Sequence, residues 1–240
     1  MRQPLSRVVA LVAFFCLPAS LPARADIPAD PVGIERRATA VTRHTFDPKN
    51  HPANMPPLKP GEAAVCQNNF RVASSFGYQL RELPDAGQNG RVVASANLEN
   101  VTITLDLIIA IWNPTNATAK IKAHEEGHRE ISQRVYDTRA TDVARTLARQ
   151  YVGRELRVEG ATFDACAAEA QKRVEQFANE LGARYMGAVA EVAGRVNDTY
   201  DDITDHGKDL KLSEADAIER SFKIEAERAQ VVESKKGETP

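Results

Sequence analysis

The run VTITLDLIIAIW, residues 101–112, constrains the fold more than any other segment. It is too short to cross a bilayer as a helix. Apolar and polar side chains alternate through Leu107, the period of a strand with one buried face. From Leu107 to Trp112 it is continuously apolar, as in a strand covered by helices. The surroundings agree. FRVASSFGYQL (70–80) and RVVASANL (91–98) carry strand character, separated by the turn signal LPDAGQNG at 83–90. A small antiparallel sheet between Cys66 and Trp112 is expected.

After Pro114 the pattern becomes helical. Asn116 or Thr118 can cap a helix running to about Tyr136, with Ile121, His124, His128, Ile131 and Val135 on one stripe. TDVARTLARQYVGREL (141–156) reads as a second helix ending before Gly160. A third starts near TFDACAAEA (162–170) and keeps a buried-face period through Val174, Ala178, Leu181, Tyr185, Val189, Val192, Val196, Tyr200 and Ile203, with Gly207 as its stop. Ser213 followed by Asp216 opens a last, weaker helix. The fold class is α+β.

The ends read differently. Arg2 and Arg7, the apolar run VVALVAFFCLPASL and the small-residue pattern ARA at 23–25 form a secretory signal peptide, residues 1–25. Phe15 stands before Cys16 where a lipoprotein signal would need a small residue. Residues 26–61 form a proline-rich leader or surface segment, 62–210 the main domain, and 211–240 a C-terminal helix and frayed tail. No later run is apolar enough to insert in a membrane, so a periplasmic or secreted product is expected. Removing three arginines and no acid with residues 1–25 takes the formal charge from −2 to −5, which disfavours nucleic acid as a partner. Cys66 and Cys166 then remain, and in an oxidising compartment a disulfide between them is expected.

The chemistry gathers in KIKAHEEGHREI, residues 120–131. His124 and His128, four apart, share one helix face and can grip a zinc ion, while Glu125 can act as base toward a water on it. A catalytic zinc needs a third protein ligand. The extended pattern HExxHxxGxxH would require Gly at 131 and His at 134, but the chain has Ile131 and Arg134. TYDDITDHG (199–207) is the best donor: His206 falls three residues after Ile203 and continues the inward stripe, the alternative being a surface histidine at a helix end, favourable to the dipole. Glu155, Glu159 and Glu169 are reserve ligands, more simply read as solvated helix charges. His44 and His51 read as ordinary residues of the proline-rich segment. Tyr200 could donate to an oxyanion or merely pack, and Asp201 or Asp205 could orient a ligand imidazole.

HEEGHREI together with the distant YDDITDHG, after a β-rich first half, resembles the bacterial family of secreted zinc-dependent proteases long catalogued only as a domain of unknown function and grouped with the HExxH metallopeptidases. The similarity covers roughly residues 38–210. It implies a zincin-like fold, in which the sheet is followed by the HExxH helix and a long helix carrying the third ligand. It further implies zinc on His124, His128 and His206, Glu125 as general base, Tyr200 and Asp205 at the remaining polar positions, and a peptide or protein substrate. The alternative function is a zinc-binding module without peptidase activity that serves periplasmic binding or assembly.

Overall fold

The structure is a computed structural model that describes residues 30–83, 90–209 and 211–237. The expected signal peptide, the centre of the expected turn at 83–90 and the last residues of the tail lie outside the described residues. In chain order the elements are β1 (Val32–Arg36), β2 (Ala40–Phe46), β3 (Val65–Glu82), β4 (Val92–Pro114), α1 (Ala119–Arg149), β5 (Glu155–Gly160), α2 (Phe163–Thr204) and α3 (Glu214–Gly237). Among the described residues this is an α+β chain with a sheet of five strands, each of the others pairing with β4. None of its described helices is long and apolar enough to cross a membrane.

Two compact units form, and β3, β4, α1 and α2 each contribute to both. The first contains residues up to Arg37, then Arg71–Leu105 and Ala140–Met186. There β1 pairs in parallel with β4, from Val32 opposite Val101 to Arg36 opposite Leu105. β5 pairs antiparallel, from Val92 opposite Gly160 to Asn97 opposite Glu155. Leu98, Val101, Ile103 and Leu105 of β4 are buried, as are Leu156 and Val158 of β5, Tyr151, and the Leu181 and Tyr185 stripe of α2. The second unit contains Ala38–Phe70, Asp106–Arg139 and Gly187–Pro240. β2 pairs in parallel with β4, from Ala40 opposite Ile108 to Phe46 opposite Pro114. Ile131 of α1, Val196 and Tyr200 of α2, and Ala217 and Ile218 of α3 form its helical core.

Several expectations need correction. The sheet is mixed, because β1 and β2 run parallel to β4. Both arise within the stretch read as proline-rich leader, where their side chains are mostly exposed. Their strand state therefore comes from backbone pairing to β4, which leaves no hydrophobic period to read. The two helices expected between Thr118 and Leu156 are one helix, α1, followed by a strand. The six residues ELRVEG alternate exposed and buried, the strand period, and dock on β4. The end of β4 keeps alternating too, since Ile109 and Ile111 are buried while Ile108 and Ala110 are only half-buried. Cys66 and Cys166 form no disulfide: both are free thiols, one in each unit, and the Cys166 thiol donates to the Val92 carbonyl at 3.3 Å.

Local signals held where the sequence stated them most sharply. Thr118 caps α1, its hydroxyl accepting from the Ile121 amide at 3.2 Å. Ser213 opens α3, accepting from the Asp216 amide at 3.2 Å and donating to the Asp216 carboxylate at 2.6 Å.

Candidate metal centre

The centre lies wholly in the second unit. Helical geometry puts His124 and His128 on one inward face of α1, and both are buried. Glu125 is buried beside them, 5% exposed. Glu126 turns outward and pairs with Arg43 at 2.6 Å and Arg129 at 2.7 Å, so of the two adjacent glutamates only Glu125 points inward.

The partner of the histidine pair is Asp201 of α2. Its Oδ1 lies 3.1 Å from His124 Nε2 and 3.0 Å from His128 Nε2, and the two nitrogens are 3.1 Å apart. The outer ring nitrogens decide what this triangle means. His128 Nδ1 lies 2.7 Å from Asn197 Oδ1, while the Asn197 amide nitrogen donates to Ser132 Oγ at 3.2 Å and the Ala193 carbonyl at 2.8 Å. That network assigns the amide oxygen to the histidine, so Nδ1 carries the proton. His124 Nδ1 lies 3.4 Å from Thr204 Oγ1, whose own proton goes to the Tyr200 carbonyl at 2.6 Å. Nδ1 is again the donor. Both Nε2 atoms therefore aim lone pairs at a carboxylate oxygen and at each other. Only a positive charge among the three relieves the repulsion, either a second proton on an imidazole or a metal ion.

The electrostatics agree. Burial would raise the Asp201 pKa, but His124 and His128, which donate to it from Nε2 when doubly protonated, outweigh burial and hold the carboxyl well below the usual range. Burial likewise disfavours a charged His128, yet Asp201 overcomes it and raises that pKa. Burial pushes Glu125 up to about 7, helped by the charges of Asp201 and Glu62 and opposed by His128. Its Oε2 is a buried atom without a hydrogen-bond partner. The site opens into a cavity of about 180 Å³ whose walls include Glu62, Cys66, Glu125, Asp201 and His206.

Tyr200 lies beneath the two rings, stacked on His124 with centroids 4.8 Å apart and edge-on to His128 at 5.1 Å. Its hydroxyl donates to Glu214 at the start of α3, and Glu214 also pairs with Lys120 at 2.7 Å. The ring is buried and its hydroxyl proton goes to Glu214. Gly127 makes the approach possible, since a Cβ there would fall 2.2 Å from the Tyr200 hydroxyl oxygen.

His206 is not placed as the helix stripe suggested. α2 ends at Thr204, and Asp205, His206 and Gly207 all have left-handed backbones, with φ of 46°, 52° and 77°. The His206 amide returns to the Asp201 carbonyl at 3.1 Å. His206 Nδ1 reaches to 3.5 Å from Asp201 Oδ1. Among the described residues two metal-capable groups result: His124, His128 and Asp201 in one, and Glu62, Asp201 and His206 in the other. The expected set of His124, His128 and His206 is therefore not the one that converges. Asp201 Oδ1 is the third atom of the group that contains His124 and His128, and His206 Nδ1 approaches that same oxygen.

The remaining candidates lie elsewhere. Glu155 accepts from Ser95, Glu159 pairs with Arg91 at 2.5 Å and Glu169 with Arg173 at 3.2 Å. His44 stacks on Trp112 at 4.0 Å, and His51 meets Phe46 edge-on at 5.0 Å. Glu62 and the ligand-like role of Asp201 were missed. The available signal for Asp201 was the group Asn197, Tyr200, Asp201 and Thr204, spaced i, i+3, i+4 and i+7, which puts polar atoms on an otherwise apolar stripe.

No protein-family model, curated protein or solved structure matches the chain.

Proposed function

We propose that the protein is a zinc-dependent peptidase acting outside the cytoplasm, with His124, His128 and Asp201 as metal ligands and Glu125 as general base. The observation that carries this reading is the convergence of two Nε2 lone pairs and one carboxylate oxygen within 3.0–3.1 Å of one another, beside the unpartnered Oε2 of Glu125. Ligand atoms ~2.0–2.1 Å from a tetrahedral zinc stand roughly 3.3 Å apart, so the triangle is close to the size the ion requires. Two imidazoles and one carboxylate are also the donor set of hydrolytic zinc, which keeps a further position open.

Bound there, zinc would lower the pKa of a water toward ~7 and polarise the substrate carbonyl. The chain's own residues supply the rest. Asn197 and Thr204 hold each histidine in the tautomer that presents Nε2. Tyr200 fixes the planes of both rings from below. Glu125 Oε2 accepts the proton of the attacking water as its oxygen bonds the carbonyl carbon, then delivers it to the amine as the C–N bond breaks. The extracellular part of the reading rests on the signal-peptide pattern of residues 1–25.

The test is Glu125→Gln in zinc-loaded protein against an unstructured protein substrate. Zinc content should match the parent while cleavage disappears. Parental protein that binds zinc yet cleaves nothing, or a Glu125→Gln protein as active as the parent, would refute the peptidase reading.

A further inference from the structure

We propose that the cavity holds a second divalent cation, on Glu62, Asp201 and His206, with Asp201 bridging it to the ion on His124 and His128. The inference rests on the reading of the first group as a metal site and extends it to a two-metal centre.

Three observations lead there. The five side chains fall into two groups that share Asp201, not into one cluster that a single ion could gather. The separation of His206 Nδ1 from Asp201 Oδ1, 3.5 Å, is too long for a good hydrogen bond but near the roughly 3.3 Å between two ligands of one ion. Finally, His206 Nδ1 is a buried atom with no hydrogen-bond partner, a costly arrangement unless something else takes its lone pair.

The geometry around these atoms is fixed independently of a ligand. Glu62 is 12% exposed in its side chain, and its Oε2 accepts from the Lys59 amide at 2.8 Å. The Lys59 ammonium, more than half exposed, stands 3.7 Å from the other oxygen, beyond hydrogen-bond reach. His206 is held by its amide bond to the Asp201 carbonyl and by its left-handed backbone, so its ring returns over the end of α2 toward the carboxylate. Both groups line the same cavity as Glu125. A carboxylate shared in this way is how hydrolytic two-metal sites hold ions about 3.5–4 Å apart, giving a second positive centre for the substrate.

The experiment is metal stoichiometry. Protein freed of metal by a chelator is saturated with zinc, desalted and analysed by mass spectrometry for zinc per chain. The parent should carry two, and His206→Ala and Glu62→Gln one each, with folding of each variant checked by circular dichroism. X-ray absorption of the loaded parent should show metal–metal scattering at about 3.5–4 Å, and it should vanish in Glu62→Gln, the gentler change. A parent that saturates at one zinc overturns the second site whichever substitutions remove that ion; if His128→Ala removes it, the first site stands. Two zinc ions retained in both His206→Ala and Glu62→Gln also overturn the proposal. A parent that binds none overturns the first site as well.

Discussion

Replacing Gly207 by alanine should damage the candidate metal centre through His124, and the structure allows the size of the effect to be worked out. Gly207 has φ of 77°, and a Cβ built on it would lie 2.9 Å from both Cβ and Cγ of His124. Two costs add. The left-handed backbone costs an alanine about 1–2 kcal/mol, offset by about 0.4–1 kcal/mol from the reduced entropy of the unfolded chain. Forcing a methyl against the buried imidazole adds about 1–3 kcal/mol of overpacking, since His124 is backed by Tyr200 and cannot retreat. Gly153 supplies the control. Its φ is 78°, but a Cβ there meets nothing within 4 Å. Gly153→Ala should therefore show the backbone cost alone, roughly 1 kcal/mol or less, and Gly207→Ala about 2–4 kcal/mol in urea unfolding. Competition with a chromophoric chelator should show weaker zinc binding in Gly207→Ala and parental affinity in Gly153→Ala. Equal destabilisation of the two variants with unchanged zinc affinity would refute the close approach of Gly207 to His124.

Asp201→Asn should lose zinc affinity by more than the ~10–100-fold typical of removing an outer-shell partner, while Asn197→Ala, which removes the acceptor that holds the His128 tautomer, should fall within that range. A chelator competition series that ranks Asn197→Ala as the more damaging would reverse the assignment of ligand and support. Cys66 and Cys166 should both react with an alkylating agent in denatured protein that has never been reduced, because both are free. Mass spectrometry that finds either one blocked until reduction would contradict this.

What could be read from the sequence depended on how local the physics was. The Thr118 and Ser213 caps and the stripe of α2 are fixed by residues three or four apart, so their periods survive in the sequence without knowledge of the partner. β1 and β2 exist because β4 offers them a backbone edge, and residues such as Glu35, Thr42 and Arg43 face outward with no signature of that pairing. β5 lost to helix propensity, although ELRVEG alternates, because six residues following a long helical pattern give the shorter period little weight. The expected disulfide rested on compartment and cysteine count, which carry no geometry; Cys166 instead sits buried in the first unit, its thiol donating to the Val92 carbonyl, while Cys66 lines the cavity of the second.

The expected third ligand shows the same limit at a single helix turn. Extrapolating the stripe past Ile203 assumed that the helix continues through His206, whereas three left-handed residues follow Thr204 and swing the ring off the helical path. The continuing helix face was instead already complete one turn earlier, where Asn197, Tyr200, Asp201 and Thr204 each serve the histidines: as tautomer holder, ring platform, carboxylate and second tautomer holder. Four polar-capable side chains at i, i+3, i+4 and i+7 would each cost free energy on a buried face if left unpaired. Part of that cost is met inside α2 by the Tyr200 and Ala193 carbonyls, and the rest by groups presented from another element in matching positions, as His124 and His128 are, one turn apart on α1. The fixed helical period on both sides is what lets one short motif on each helix specify a centre from His128 and Asp201, 73 positions apart in the chain.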